Sequence, residues 1–222
     1  MRFLCLHGIG SNSQASTTFE QQTAAIRYEL GNQHTYDFVE GGVPWESSIP
    51  QATETDEATF TFCDPKEPQS CQQAARDLDR YIKEEGPFDG IIGFSLGATI
   101  ALSWLVNWDQ TKQGVRSHGA PFKVAVFFSS ASQPYDLDAL ARDHIAYLNP
   151  AQMSRVLDMP TAHIWGSADP HAADARRAVE FCDPQKRSVF VHANGHEIPD
   201  SVENTVSIAK VINRAICQVE GK

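Results

Sequence analysis

Apolar positions along this chain switch repeatedly between two periods. RFLCL (Arg2–Leu6) is a short apolar run that stops at His7-Gly8. Phe19, Thr23, Ile26 and Leu30 then recur at helical spacing, with Gly31 as a stop signal. YDFV (Tyr36–Val39) reads as a second strand. Ser70 with Gln73 reads as a capping box, and Ala74, Leu78, Tyr81 and Ile82 line one helical face up to Gly86-Pro87. FDGIIGF (Phe88–Phe94) reads as a buried strand, and Ala98, Ala101, Leu102, Leu105 and Val106 form a helical face directly after it. KVAVFFS (Lys123–Ser129) is strongly β, and His163–Trp165 and Ser188–Val191 are two more short strands. Val202, Val206, Ala209, Ile212 and Ile216 close the chain as a helix. Strands alternating with helices predict an α/β fold: about six strands in a mostly parallel sheet, with helices on both faces. No repeat, low-complexity tract or linker interrupts the pattern, so residues 1–222 read as a single domain.

Two stretches break the alternation. Gly41–Gln69 is rich in Pro, Glu and Thr and punctuated by Trp45, Ile49, Phe60 and Phe62. Ala131–Met159 holds Tyr135, Leu140, Ile145, Tyr147, Leu148 and Met153, read as short helices. Long insertions in a compact domain are usually lids or pocket walls, and both are read that way here.

Composition narrows the class. At 222 residues the chain is long enough to build a core without disulfides or metal. Lys plus Arg is 18 and Asp plus Glu is 28, a formal net charge of −10. That balance argues against a nucleic-acid backbone or an anionic membrane as partner. Cys5, Cys63, Cys71, Cys182 and Cys217 are odd in number and lack zinc-type spacing; Cys63 and Cys71 would pair only in an oxidising compartment. MRFLCLHGIG lacks the apolar core of a signal peptide, and no stretch approaches a membrane span. The expectation is a soluble cytoplasmic protein.

The chemistry centres on Gly93-Phe94-Ser95-Leu96-Gly97, a G-x-S-x-G between an apolar strand and a helix. That is the context of a nucleophile elbow, with Ser95 at the carboxyl end of the sheet. A serine hydroxyl needs a base, and the elbow fold supplies Asp or Glu, then His, later in the chain. His7, His34 and His118 fall on the wrong elements, His144 lies in the 131–159 insertion and His163 inside a strand. His192 ends the last strand and reads as structural. His196, just beyond it in ANGHE, sits on a loop loosened by Gly195 and is the expected base. The acid belongs on the loop after the preceding strand, where HIWGSADP supplies Asp169. Asp169 also reads as a helix cap before Pro170, and Asp158 and Asp174 are the alternatives. Oxyanion donors are expected from the backbone N–H of Leu96 and, in His7-Gly8-Ile9-Gly10, of Ile9. No dinucleotide fingerprint or HExxH spacing is present, so no cofactor and no metal are expected. If the first and third strands are neighbours with the second outside, both motifs sit at a topological switch point.

Together these motifs resemble the α/β-hydrolases, and more closely the fungal serine hydrolase family known as FSH. The resemblance runs through LHGIGSN, DFVEGGVPW, EGPFDGIIGFSLGA, HIWGSADP and NGHEIP. It implies hydrolysis of a small-molecule ester or thioester, with Ser95, Asp169 and His196 in the triad positions. Several members serve fungal polyketide pathways, one by releasing an acyl chain from its carrier protein. The resemblance therefore implies a trans-acting thioesterase with an acyl-carrier protein as partner. Alternatives are a general short-chain carboxylesterase, a cyclase using the same acyl-enzyme, and a low-turnover binding or receptor module. Arg176-Arg177 and Lys186-Arg187 are the candidate basic patch for an acidic carrier. Trp45, Phe60, Phe62, Tyr135 and Tyr147 are candidate acyl-pocket walls.

Overall fold

The computed structural model describes residues 1–10, 19–46, 59–111 and 121–221. Six parallel strands form the main sheet: β1 (Arg2–Leu6), β2 (Thr35–Val39), β5 (Gly90–Phe94), β6 (Val124–Phe128), β7 (Thr161–Gly166) and β8 (Arg187–His192). Their order is β2-β1-β5-β6-β7-β8, so the chain reverses direction across the sheet between β1 and β5. Register pairs Leu6 with Gly93 and Phe94 with Phe128, which brings the ends of β1, β5 and β6 together.

Period-two alternation divides the sheet between two cores. On one face Leu4, Leu6, Ile91, Ala125 and Phe127 pack against helices α3 (Pro68–Glu85) and α4 (Leu96–Thr111). On the other, Phe3, Cys5, Ile92, Val124, Val126 and Phe128 meet α2 (Ala24–Leu30) and α7 (Val202–Glu220). Residues 95–106 of the elbow and α4 are all buried, which is why that segment is apolar all round rather than striped.

Several local details differ from the sequence pattern. The helical pattern Phe19–Leu30 is divided at Thr23 into α1 (Phe19–Gln22) and α2. The Thr23 hydroxyl donates to the Phe19 and Glu20 carbonyls and competes with a continuous ladder. The capping box at Ser70 does not form. α3 starts earlier, because Pro68 suits a first helical position with no N–H to satisfy. Ser70 lies inside the first turn, where its hydroxyl accepts from the Asp64 amide. Segment 41–69 contains an antiparallel hairpin, β3 (Val43–Trp45) with β4 (Thr59–Thr61). Segment 131–159 carries the short α5 (Leu137–Leu140), a 3-10 turn at Pro150–Gln152 and a Tyr135–Tyr147 bridge. His118 and Ile49 lie outside the described residues. All five cysteines are free, and among the described residues no helix is long and apolar enough to cross a membrane.

His163 points into the packing, as its place in a strand suggests. It is 1% exposed, lies over the Phe127 ring and meets the Thr161 hydroxyl at 3.1 Å. Burial, helped by the Arg187 charge, pushes its pKa down from 6.5 to about 3. The unfolded chain therefore binds more protons than the fold between those values. Stability from His163 is fully present above about pH 6.5 and is lost as pH falls towards about 3. Urea unfolding from pH 7 to 4 should show a steeper acid loss in the wild type than in His163→Gln; parallel profiles would refute this. Gly166 gives a second check. A Cβ there would lie 2.0 Å from the Asn194 carbonyl oxygen and 2.3 Å from that of Gly195. Gly166→Ala should lower stability by about 1–3 kcal/mol, and an unchanged urea midpoint would contradict that packing.

Candidate active site

The turn between β5 and α4 places Ser95 at φ +54, the left-handed region that side chains rarely adopt. Two close approaches require this. A Cβ on Gly93 would lie 2.6 Å from the Ala98 backbone, and one on Gly97 2.4 Å from the carbonyl oxygens of Leu6 and His7. The strained residue is held from both sides. The Ser95 amide donates to the Phe128 carbonyl at 2.9 Å, and the Ser95 carbonyl accepts from Thr99 and Ala131 amides.

Asp169 lies on the loop after β7. It does not cap the following helix as its position before Pro170 suggested: α6 (Ala172–Ala178) begins later, with His171 at its N-cap position. Instead Oδ1 accepts the His171 amide at 2.7 Å, closing a local turn. Oδ2 faces His196 Nδ1 at 2.8 Å, and the Asp169 side chain is fully buried. Burial alone would push its pKa up. The His171 amide, the His196 ring and the nearby Ser129 hydroxyl outweigh burial and hold it below the ordinary carboxylate value. Ser129 is itself strained at φ +44.

His196 Nε2 stands 2.8 Å from Ser95 Oγ. With Asp169 ionised, Nδ1 carries the proton and Nε2 is free to accept from the serine hydroxyl. The loop carrying His196 is sewn to the loop carrying Asp169: the Ser167 amide donates to the His192 carbonyl and the Ala168 amide to that of Asn194. The structure thus brings Ser95, Asp169 and His196 into one hydrogen-bonded chain. Asp158 is ion-paired with Lys186, and Asp174 accepts from Gln133; neither bonds His196. His192 ends β8 and is buried, with neither ring nitrogen partnered among the described residues.

The loop after β1 runs beside the serine. A Cβ on Gly8 would lie 3.1 Å from Ser95 Cβ. His7 fixes this loop. Its Nε2 accepts from the Gly41 amide at 2.8 Å, so Nδ1 is the N–H that donates to the Gly8 carbonyl at 2.6 Å. Burial lowers its pKa, consistent with a neutral ring. Gly10 donates to the Phe60 carbonyl, whereas the amides of Ile9 and Leu96 find no acceptor among the described residues. Ile9 is partly exposed at this edge.

The aromatic wall candidates separate. Phe62 packs on the His7 ring, and Trp45 lies beside Gly10. Tyr135 is buried and stacks on Tyr147, which is exposed. Of the four candidate basic residues, Lys186 is paired with Asp158 and Arg187 donates to the Val179 and Cys182 carbonyls. Arg176 and Arg177 are exposed on α6. Among the described residues no three or more His, Cys, Asp or Glu side chains gather in metal-binding range. One residue at the site escaped the sequence reading. His171 touches Asp169 through its amide and His196 through its ring. Its only signal was its place two residues after the acid.

Comparison with known proteins places the chain in a family. Residues 1–208 match the family described as Serine hydrolase (FSH1). "Esterase FPY3" of Fusarium mangiferae is 35% identical, over 97% of this chain and 99% of its own length. "Hydrolase FUB4" of Fusarium oxysporum is 24% identical, over 96% of this chain and 97% of its own. Among solved structures, a carboxylesterase from Mesorhizobium loti superposes with a TM-score of 0.58 at 16% identity, over 94% of this chain and 86% of that one. The fold is that of the α/β-hydrolases, and the chain belongs to the serine hydrolase (FSH1) family.

Proposed function

We propose that the chain cleaves an ester or thioester through an acyl-enzyme, with Ser95 as nucleophile, His196 as general base and acid, and Asp169 as the orienting carboxylate. The observation that carries this is the unbroken chain from Ser95 Oγ to His196 Nε2, and from Nδ1 to Asp169 Oδ2, 2.8 Å at each link. His196 takes the Ser95 proton as Oγ attacks the carbonyl carbon. The amides of Leu96 and Ile9 stabilise the oxyanion. Collapse of the tetrahedral intermediate expels the alcohol or thiol, which receives the proton from His196. Water, deprotonated by His196, then attacks the acyl-Ser95 ester and releases the acid.

The finer reading is a trans-acting thioesterase that frees an acyl or polyketide chain from a carrier protein in secondary metabolism. The resemblance to a fungal family with carrier-releasing members supports it, and Arg176 and Arg177, exposed on α6, offer an acidic carrier two cations. The second reading, a short-chain carboxylesterase without a carrier, is favoured by the formal charge of −10, which gives no long-range attraction to an acidic partner. Both readings take residues 1–222 as one domain. Both take the cytoplasm as its setting, supported by five unpaired cysteines.

Hydrolysis rates on matched acyl thioesters and oxygen esters of rising chain length separate the two. A thioester preference that grows with chain length supports carrier release; faster turnover of short oxygen esters supports the carboxylesterase. Ser95→Ala and His196→Ala should each lower kcat/KM by about 10⁴-fold or more, because such groups act as a unit. Asp169→Asn should cost about 10²- to 10⁴-fold. A fluorophosphonate should phosphonylate Ser95 with loss of HF, adding the mass of the phosphonyl group to the peptide containing Ser95 and not to that of Ser95→Ala. Full activity in either alanine variant refutes the assignment.

A further inference from the structure

We infer that His171 is a positioning residue for this chemistry: its ring packs against His196 and keeps that imidazole aimed at Ser95. The inference rests on the triad reading above and adds a residue to it.

The base needs outside support. His196 follows Gly195 in a short loop, and its side chain is 27% exposed, so the core alone does not fix it. Two rings do the rest. Phe94 lies 5.2 Å from the His196 ring centre, and Phe94 itself stacks on Phe19. His171 lies at the same 5.2 Å centre-to-centre distance, inclined at 62°, an edge-to-face contact. Remove either ring and the imidazole gains freedom to turn away from the serine.

His171 is placed for this by its main chain and its side chain together. Its amide donates to Asp169 Oδ1 at 2.7 Å, on the carboxylate whose other oxygen holds His196. Its Nδ1 faces Asp174 Oδ2 at 3.9 Å. Asp174 Oδ1 in turn accepts from the Gln133 side chain at 3.3 Å. The ring that steadies the base is therefore referenced to the acid on one side and to the 131–159 segment on the other.

The test is steady-state kinetics on the ester series, with thermal unfolding to check each fold. A small error in aim lowers kcat and leaves KM nearly unchanged. His171→Ala should lower kcat about ten-fold with KM within about two-fold. His171→Phe, which keeps the ring and loses the ionisable group, should recover kcat to within about three-fold of wild type. Asp174→Asn should lower kcat by about two- to three-fold in the wild type and have no effect in the His171→Ala background. If His171→Ala does not fold, His171→Gln against His171→Phe gives the same contrast. Wild-type kcat without the ring, or a Phe variant no better than Ala or Gln, overturns the inference. Ser95→Ala run in parallel separates the two levels. Turnover that survives it overturns the triad reading as well. Ser95-dependent turnover with wild-type kcat in His171→Ala overturns only the role given to His171.

Discussion

The site depends on a close backbone approach at one corner of the sheet. The first turn of α4 is pressed against the end of β1, leaving no room for a Cβ at Gly97 beside the Leu6 and His7 carbonyls. Gly93 does the same against Ala98. With both neighbours drawn in, Ser95 is left in the left-handed region, at a cost of about 1–3 kcal/mol. The surrounding strands meet that cost. β6 supplies the carbonyl that holds the Ser95 amide, and Ala131 beyond it binds the Ser95 carbonyl. Because β1 and β5 are adjacent, the same approach brings Gly8 against the serine. Ser95 and the loop after β1 are thus set by one packing contact.

The second constraint is electrostatic. A fully buried carboxylate costs several kcal/mol unless its oxygens are satisfied. Asp169 meets that condition with the His171 amide on one oxygen and His196 on the other. Its pKa falls although burial opposes the charge, so these partners win. The ionised state in turn fixes the His196 tautomer and leaves Nε2 as the acceptor facing Ser95.

Much of this was legible before any coordinates. The six strands of a mostly parallel sheet follow from strands and helices that alternate with clear periods, though not their full order, and the elbow follows from glycines at fixed offsets around Ser95. Asp169 and His196 follow from the rule that loops at the carboxyl ends of parallel strands carry the site. What escaped depends on partners distant in sequence. β3 and β4 are three residues each, and β3 holds Pro44, so neither shows a period. The choice between Pro68 and Ser70 as the start of α3 turns on Asp64, which claims the Ser70 hydroxyl. His171 has no local pattern, because its meaning lies in a ring from the next strand's loop. The helix-cap reading of Asp169 failed for a related reason. Its carboxylate turned back onto its own loop, and α6 began at Ala172.

The β3–β4 hairpin and the residues flanking it explain how the His7–Gly10 stretch keeps its shape. Two of its four residues are held by groups on segment 41–62, and a third is held through His7. His7 accepts from the Gly41 amide and packs on Phe62, Gly8 receives the other His7 nitrogen, and Gly10 donates to Phe60. Ile9 is the residue whose amide these contacts leave without an acceptor among the described residues. A glycine-rich loop would otherwise sample many conformations, since glycine loses the most freedom on ordering. Here the insertion that interrupts the alternating pattern restricts that freedom. The neutral His7 ring transmits the restraint, because it must accept at Nε2 and donate at Nδ1 at once. Under the proposed mechanism, an amide that finds no acceptor among the described residues, on a loop beside the serine, is suited to an attacked carbonyl oxygen as it gains charge. The hairpin thus belongs to the reacting edge of the molecule as much as the strands do.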